Sequence, residues 1–405
     1  MNISECRVCS SKDLEDVIDL GDQPWCNDFI SNKGLGSEKK YPLVCCFCKD
    51  CSTLQVRYTV PKEIMYADHS YLSGSNKSMP KHFQAIADYV TNNYCSNKKD
   101  LFAVDIGSND GTLLQTYKNN DFKVLGIEAS KEIARKAEGS GIPTLGEYFD
   151  ENLSNEIKRV YGKATVISAA NVFYHVEELH SVVKGIKNLL SKDGVFVIQA
   201  SYLPNLIETK AFDIMYHEHL LYYRLENLNY LLNLHGLEVF NYSFESVHGG
   251  SIIAYACHKN AHEIQEKVPQ LIEQERKLGY HLIDTYKQFN QSIKVLRNDL
   301  RELINKLKGE NKTIAAYGAP AKGTVMLNYC GLDSDLIDYA VEVNEMKVNK
   351  YIPGTGIKIH KEGEIEDPDL YLLLSWNFLE FFLENRKSQN KDYKFIVPIP
   401  NPHIS

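Results

Sequence analysis

The chain has 405 residues and 43% hydrophobic content, enough for two or three packed domains. A formal charge of -8 without a dense Lys/Arg tract speaks against a nucleic-acid substrate, and leaves room for a local basic pocket that takes a small phosphorylated ligand. No apolar run approaches the roughly 20 residues that cross a bilayer, and the polar start MNISECRVCSSKD lacks a signal-peptide core, so the expectation is a cytoplasmic protein without a membrane partner.

Seven of the ten cysteines fall within the first 51 residues and mark a separate module. Cys6-Arg-Val-Cys9 and Cys48-Lys-Asp-Cys51 are two C-x-x-C knuckles, each able to offer two thiolates to one tetrahedral zinc. Cys45 and Cys46 are possible substitutes in the second knuckle, and a disulfide framework or a redox pair are the alternatives. With four protein ligands the metal has no open position, so its expected role is structural. Next comes a polar, aromatic loop containing Tyr71, Ser73 and Gly74, whose hydroxyls suit a polyhydroxylated substrate as well as they suit an ordinary surface loop.

Leu101 to Ile106 reads as a buried strand and Thr112 to Tyr117 opens a helix, so Asp105-Ile-Gly107-Ser-Asn109-Asp-Gly111 is a strand-to-helix turn. A second strand, Phe122 to Ile127, ends in Glu128, a carboxylate placed to accept from ribose hydroxyls. Asp105 would repel a pyrophosphate and suits the cationic amino-acid end of S-adenosylmethionine, which weighs against a nicotinamide cofactor. The plain alternative is a βαβ turn in which Asp105 caps the following helix.

Helix, strand, helix and strand alternate through Lys131 to Ala137, Ala164 to Ala169, Leu179 to Leu190 and Gly194 to Ala200, a doubly wound α/β pattern. Asn171 and His175 follow a strand, at the sheet edge where such folds bind ligands. Tyr216-His217-Glu218-His219 places four acid/base-capable side chains in a row. If helical, Tyr216 and His219 share a face, and Glu218 can orient an imidazole. The spacing lacks H-E-x-x-H and so argues against a zinc protease; a solvated polar turn is the bland reading. Strands Leu237 to Phe244 and Ser251 to Cys257 flank His248-Gly249-Gly250, and Glu263 to Lys308 reads as long amphipathic helices. A second α/β unit begins with a strand from Thr313, the Gly318 turn and Lys322, whose ammonium and nearby amides suit a diphosphate, the alternative being a structural βα turn with a surface Lys. Strands at Ile337 to Val343 and Leu370 to Leu374 follow, and Phe395 to Pro400 reads as a final edge strand.

The whole chain resembles the deoxysugar C-methyltransferases, which act at C3 of nucleotide-linked 4-keto sugars. The resemblance rests on Cys6/Cys9 with Cys48/Cys51, Leu20-Gly-Asp-Gln-Pro24, the Asp105 turn, Tyr216 to His219, His248-Gly-Gly-Ser251 and the Gly318 to Gly323 turn. Ile253 departs from it, because similar enzymes often carry Arg there. It implies an α/β fold in the order zinc-binding domain with a substrate-contacting linker (1–78), class I methyltransferase domain (79–260), helical connector (261–309) and carboxyl-terminal Rossmann-like domain (310–405). S-adenosylmethionine would lie on Asp105, Gly107, Asn109, Gly111, Glu128 and Asn171. His219 is the expected base, Tyr216 and His175 would hydrogen-bond a developing oxyanion, and Glu218 would position sugar or imidazole. Tyr71, Ser73, Tyr222, His248, Gly249, Gly318, Lys322 and Asn344 are the expected substrate contacts, and a monomer or weak homo-oligomer the expected assembly. A methyltransferase for another carbonyl-activated small molecule and a noncatalytic cofactor-fold binding protein are the competing readings.

Overall fold

A computed structural model of the chain describes residues 1–65, 73–75, 79–96, 99–245, 249–388 and 393–405. Their strands form three sheets. The first is antiparallel and consists of Leu14–Pro24, Lys40–Cys48, Leu54–Val56 and, from far along the chain, Leu221–Tyr222. Sequence reading did not give this last strand, because two residues carry no periodicity to detect. Val17, Ile18 and Leu20 of the first strand are buried against the helix Ile283–Gly309. That helix turns Tyr286, Phe289, Ile293, Leu296, Leu300, Ile304 and Leu307 to one side, a stripe at helical spacing. The stripe joins the first sheet to the carboxyl-terminal sheet in one hydrophobic core. No helix among the described residues is long and apolar enough to cross a membrane.

The central sheet has seven strands in the spatial order Leu237–Glu245, Ser251–His258, Leu190–Ser201, Ala164–Ala170, Phe102–Ile106, Lys123–Ile127 and Thr144–Leu145. The last five are parallel, and Ser251–His258 inserts antiparallel to both of its neighbours. This is the class I methyltransferase arrangement. Phe102–Ile106 is buried along its whole length, as a parallel strand covered by helices on both faces must be. Ile253 packs into the core beneath the helix Met79–Val90, so no anionic contact comes from that position.

The third sheet runs Ile359–Lys361, Tyr339–Glu342, Ile314–Tyr317, Leu370–Leu373, Lys394–Val397 and His403–Ile404, with only the last strand antiparallel. The expected edge strand at Phe395 is therefore interior, and His403–Ile404 forms the edge. Pro398 and Pro400 supply no N–H to a ladder, so the strand ends at Val397 and the chain turns back to pair beside it. In both parallel sheets the first strand lies between the second strand and a strand reached by crossing over. That arrangement opens a crevice beyond the carboxyl ends of the strands.

Candidate active site

The Asp105 turn sits at the crevice of the central sheet. Asp105 is 3% exposed, Ser168 Oγ donates to its Oδ1 at 2.6 Å, and burial raises its pKa to about 7. Glu128 Oε2 accepts from the Asn109 amide at 3.0 Å and Oε1 from the Ser130 amide at 2.8 Å, which fixes the carboxylate at the end of its strand. The buried Asn171 Oδ1 has no partner among the described residues, and Asn171 follows the neighbouring strand with a φ of 58°. Two carboxylates and an amide oxygen thus stand at the carboxyl ends of adjacent strands, a set of acceptors that fits a ligand carrying a cation and hydroxyl donors. Gly107 and Gly111 are also required by the packing of the turn itself. At a φ of 69° a Cβ on Gly107 would lie 2.6 Å from Val172 Cγ2, and one on Gly111 would lie 3.0 Å from Ile142, so both let the turn pack against the protein itself. Ser73 donates its amide to Asn109 Oδ1 at 2.8 Å and Gly74 donates to Asp110 Oδ2 at 2.8 Å, which seats that segment on the cofactor turn. Tyr71 and His248 lie outside the described residues.

Tyr216 to His219 forms a turn rather than the helix that would put Tyr216 and His219 on one face. The His219 amide donates to the Tyr216 carbonyl at 2.9 Å, and this closure still brings the two rings together, with centroids 3.9 Å apart. The turn is tied to the central sheet by the Leu220 amide, which donates to the Tyr174 carbonyl at 2.8 Å. His219 then lies 4.4 Å from the Tyr174 ring and 5.0 Å from the His175 ring. Burial holds the Tyr216 phenol well above its usual range, so it remains a proton donor at neutral pH. His217 points away: it is fully buried, its Nε2 meets the Pro42 carbonyl at 3.3 Å, and burial lowers its pKa.

Glu218 works differently from the sequence expectation. Its carboxylate Oε1 accepts from Trp25 Nε1 and from Asn27 Nδ2, both at 2.7 Å, and its backbone carbonyl meets His175 Nδ1 at 2.6 Å. A carbonyl oxygen only accepts, so Nδ1 carries the proton and neutral His175 has its lone pair on Nε2. The neutral ring is therefore a proton acceptor at that atom, and only the imidazolium can donate to an oxyanion as expected from the sequence. Tyr222 is 3% exposed in the core of the first sheet, opposite Leu54.

At the crevice of the third sheet, Gly318 has a φ of 78° and Lys322 sits on the following helix. Lys322 Nζ donates to Asn377 Oδ1 at 2.5 Å and lies 4.3 Å from the centre of the Trp376 ring. Burial lowers its pKa, and Asp213 opposes the shift. Trp376 Nε1 donates to Asp213 Oδ2 at 2.8 Å, and the buried Asp213 Oδ1 has no partner among the described residues. A side chain on Gly249 would come within 3.8 Å of Trp376, and Asn205 donates to the Gly249 carbonyl. The central domain and the third sheet thus meet at this cluster. Glu342 Oε2 accepts from the Ala319 amide at 2.9 Å, and Oε1 accepts from the Asn344 amide at 3.0 Å. Sequence reasoning passed over Glu342, although it ends a second strand as Glu128 does. Trp25, Asn27 and Asp213 gave no local signal, because their partners lie far along the chain.

The four knuckle cysteines converge. The Sγ atoms of Cys6, Cys9, Cys48 and Cys51 all lie within 4.8 Å of one another, and the Cys6–Cys51 and Cys9–Cys48 pairs are 3.5 Å apart. A tetrahedral zinc with bonds of about 2.3 Å needs sulfurs about 3.8 Å apart, so a small shift seats the ion. Gln55 Nε2 donates to Cys6 Sγ at 3.1 Å, the kind of support a zinc-bound thiolate receives. Cys45 and Cys46 lie outside this cluster, and burial pushes the Cys46 thiol up to about 12. The zinc is structural and S-adenosylmethionine is the cofactor of the central domain.

Comparison with known proteins gives the same three parts. Residues 6–66 match a zinc binding domain, 81–241 a methyltransferase domain and 246–400 the C-methyltransferase C-terminal domain. The C-methyltransferase NovU of Streptomyces niveus is 31% identical over 407 aligned residues, covering 99% of this chain and 97% of that protein. Among solved structures, magnesium protoporphyrin IX methyltransferase from Synechocystis PCC 6803 with bound S-adenosylmethionine is 12% identical, with a TM-score of 0.35, and the match covers 49% of this chain and 89% of that one. The PH0226 protein of Pyrococcus horikoshii OT3 is 16% identical, with a TM-score of 0.37 and coverage of 49% and 100%. The chain belongs to the family of S-adenosylmethionine-dependent C-methyltransferases that carry an amino-terminal zinc-binding domain.

Proposed function

We propose that the enzyme adds a methyl group at C3 of a nucleotide-linked 4-keto-deoxysugar by way of an enolate. The observation that carries this reading is the meeting of Tyr216, His219 and His175 beside the cofactor crevice, with a cationic, aromatic cluster at Lys322 and Trp376 on the facing domain. A ketone at C4 acidifies the C3–H bond. His219 takes that proton, the electron pair passes into the enolate, and the Tyr216 phenol donates a hydrogen bond to the oxygen. His175 either accepts a proton at Nε2 or, once charged, stabilises the oxyanion. Asp105, Glu128 and Asn171 would hold S-adenosylmethionine, which would supply the methyl group from its cationic sulfur. Lys322, the turn at Gly318 and the segment at Glu342 and Asn344 suit the nucleotide, with the anionic diphosphate at Lys322.

The test is a methyl-transfer screen against nucleotide-linked 4-keto sugars, reading the mass and the position of the added methyl together. A C3-methyl product is expected, and a product methylated on oxygen overturns the mechanism. In the same assay His219→Gln should lower kcat by roughly 10²–10⁴-fold while S-adenosylmethionine affinity stays unchanged. Unchanged turnover removes His219 as the base.

A further inference from the structure

We infer that Trp25 and Asn27, in the amino-terminal module, are positioning residues for the methyl transfer. Acting through Glu218, they keep neutral His175 in the tautomer whose Nε2 carries the lone pair. This rests on the reading above that His175 stands at the reacting centre.

The inference starts from the strap that leaves the strand Leu14–Pro24. Trp25 and Asn27 approach one carboxylate oxygen from two sides, each at 2.7 Å, although they stand 193 and 191 residues from Glu218 in sequence. Glu218 is 3% exposed and Trp25 9%, so little water competes for that oxygen, and a buried carboxylate without its donors is costly. The strap is also pinned from its other side. Thr324 Oγ1 donates to the Cys26 carbonyl at 3.1 Å, and Ile30 bridges to Tyr351. Fixing the Glu218 side chain fixes the peptide of a tight turn, and the carbonyl of that residue receives His175 Nδ1–H at 2.6 Å. If the carbonyl turns away, Nδ1 loses its acceptor and the ring is free to carry its proton on either nitrogen.

The same strand also runs from the cysteine cluster to the strap. Leu14, at one end of the strand, pairs with the zinc ligand Cys48, and Pro24, at the other end, pairs with Lys40. Eleven residues of strand thus separate the cysteine cluster from the strap that holds Glu218.

The experiment records 15N–1H correlation spectra of ¹⁵N-histidine-labelled, zinc-loaded enzyme without sugar, with His175→Gln assigning the resonance. Wild type should show a protonated Nδ1 and a bare Nε2. The double variant Trp25→Phe/Asn27→Ala should show both tautomers, and kcat should fall roughly tenfold or more at unchanged KM for S-adenosylmethionine. Asn27→Ala alone should shift the spectrum in the same direction, and it decides the matter should the double variant fail to fold. A protonated Nε2 in wild type, or an unaltered tautomer in the variants, overturns the inference. Because the spectrum needs no sugar, a negative substrate screen leaves it readable.

Discussion

The central and carboxyl-terminal sheets build the same ligand edge twice and charge it oppositely. In each, a glycine after the first strand donates its amide to the residue that precedes a glutamate: Gly107 to Ile127 at 2.8 Å, and Gly318 to Val341 at 2.9 Å. Each glutamate then accepts from an amide of the turn and from the amide two residues after itself, Glu128 from Asn109 and Ser130, Glu342 from Ala319 and Asn344. The difference lies in two positions. Two residues before the glycine stands Asp105 in one sheet and Ala316 in the other, and four residues after it stands Gly111 in one and Lys322 in the other. One frame thereby offers acceptors that suit a cationic methyl donor, and the other offers a cation that suits the anionic diphosphate proposed above.

The largest expected effect separates the two glycines. Gly107→Ala drives a Cβ into Val172 at positive φ and should cost about 3–5 kcal/mol in denaturant unfolding, with loss of S-adenosylmethionine binding in calorimetry. At Gly318 a Cβ meets Ser375 Oγ at 3.5 Å and Pro320 Cδ at 3.6 Å, both ordinary contacts, so Gly318→Ala should cost about 1 kcal/mol, the strain of its backbone alone. Equal costs would break the distinction.

Asp105→Asn should weaken S-adenosylmethionine by roughly 10–100-fold and leave nucleotide binding unchanged. The pH dependence carries a sign. The folded pKa of about 7 lies above the unfolded value near 3.9, so the folded chain binds the extra proton between them. Stability of the cofactor-free protein should therefore rise as pH falls from about 8 towards 4, by an amount on the order of 4 kcal/mol from this group. Cofactor affinity should fall over the upper part of that range, as the carboxylate is lost, and Asp105→Asn should flatten both profiles.

Lys322 should behave in the opposite sense. Burial lowers its pKa, so nucleotide binding weakens as pH rises and the ammonium is lost. Lys322→Gln should raise KM for the nucleotide sugar about tenfold without altering cofactor affinity. A matching loss of cofactor binding would show that the two edges are not independent.

Much of this was legible in the sequence. The Asp105 and Gly318 turns, the knuckle cysteines and the alternation of helix and strand are local patterns, because periodicity and turn chemistry act over a few residues. Tyr216 and His219 were paired correctly through the wrong element, since a tight turn and a helix both bring positions three apart together. The strand Leu221–Tyr222 and the interior place of Lys394–Val397 were not legible, because each depends on which distant strand lies alongside.

From the sequence alone came the two C-x-x-C knuckles, with Cys45 and Cys46 left as possible substitutes, and the glycine-spaced strand-to-helix turn, all written in short-range spacing, while the three-part order followed from the family resemblance. Only the tertiary structure decided that Glu218 answers to Trp25 and Asn27, that His175 is held by a carbonyl, and that Asp213 reaches Trp376 across two domains. Those contacts join residues 43 to 193 positions apart, and no local preference encodes a partner at that range.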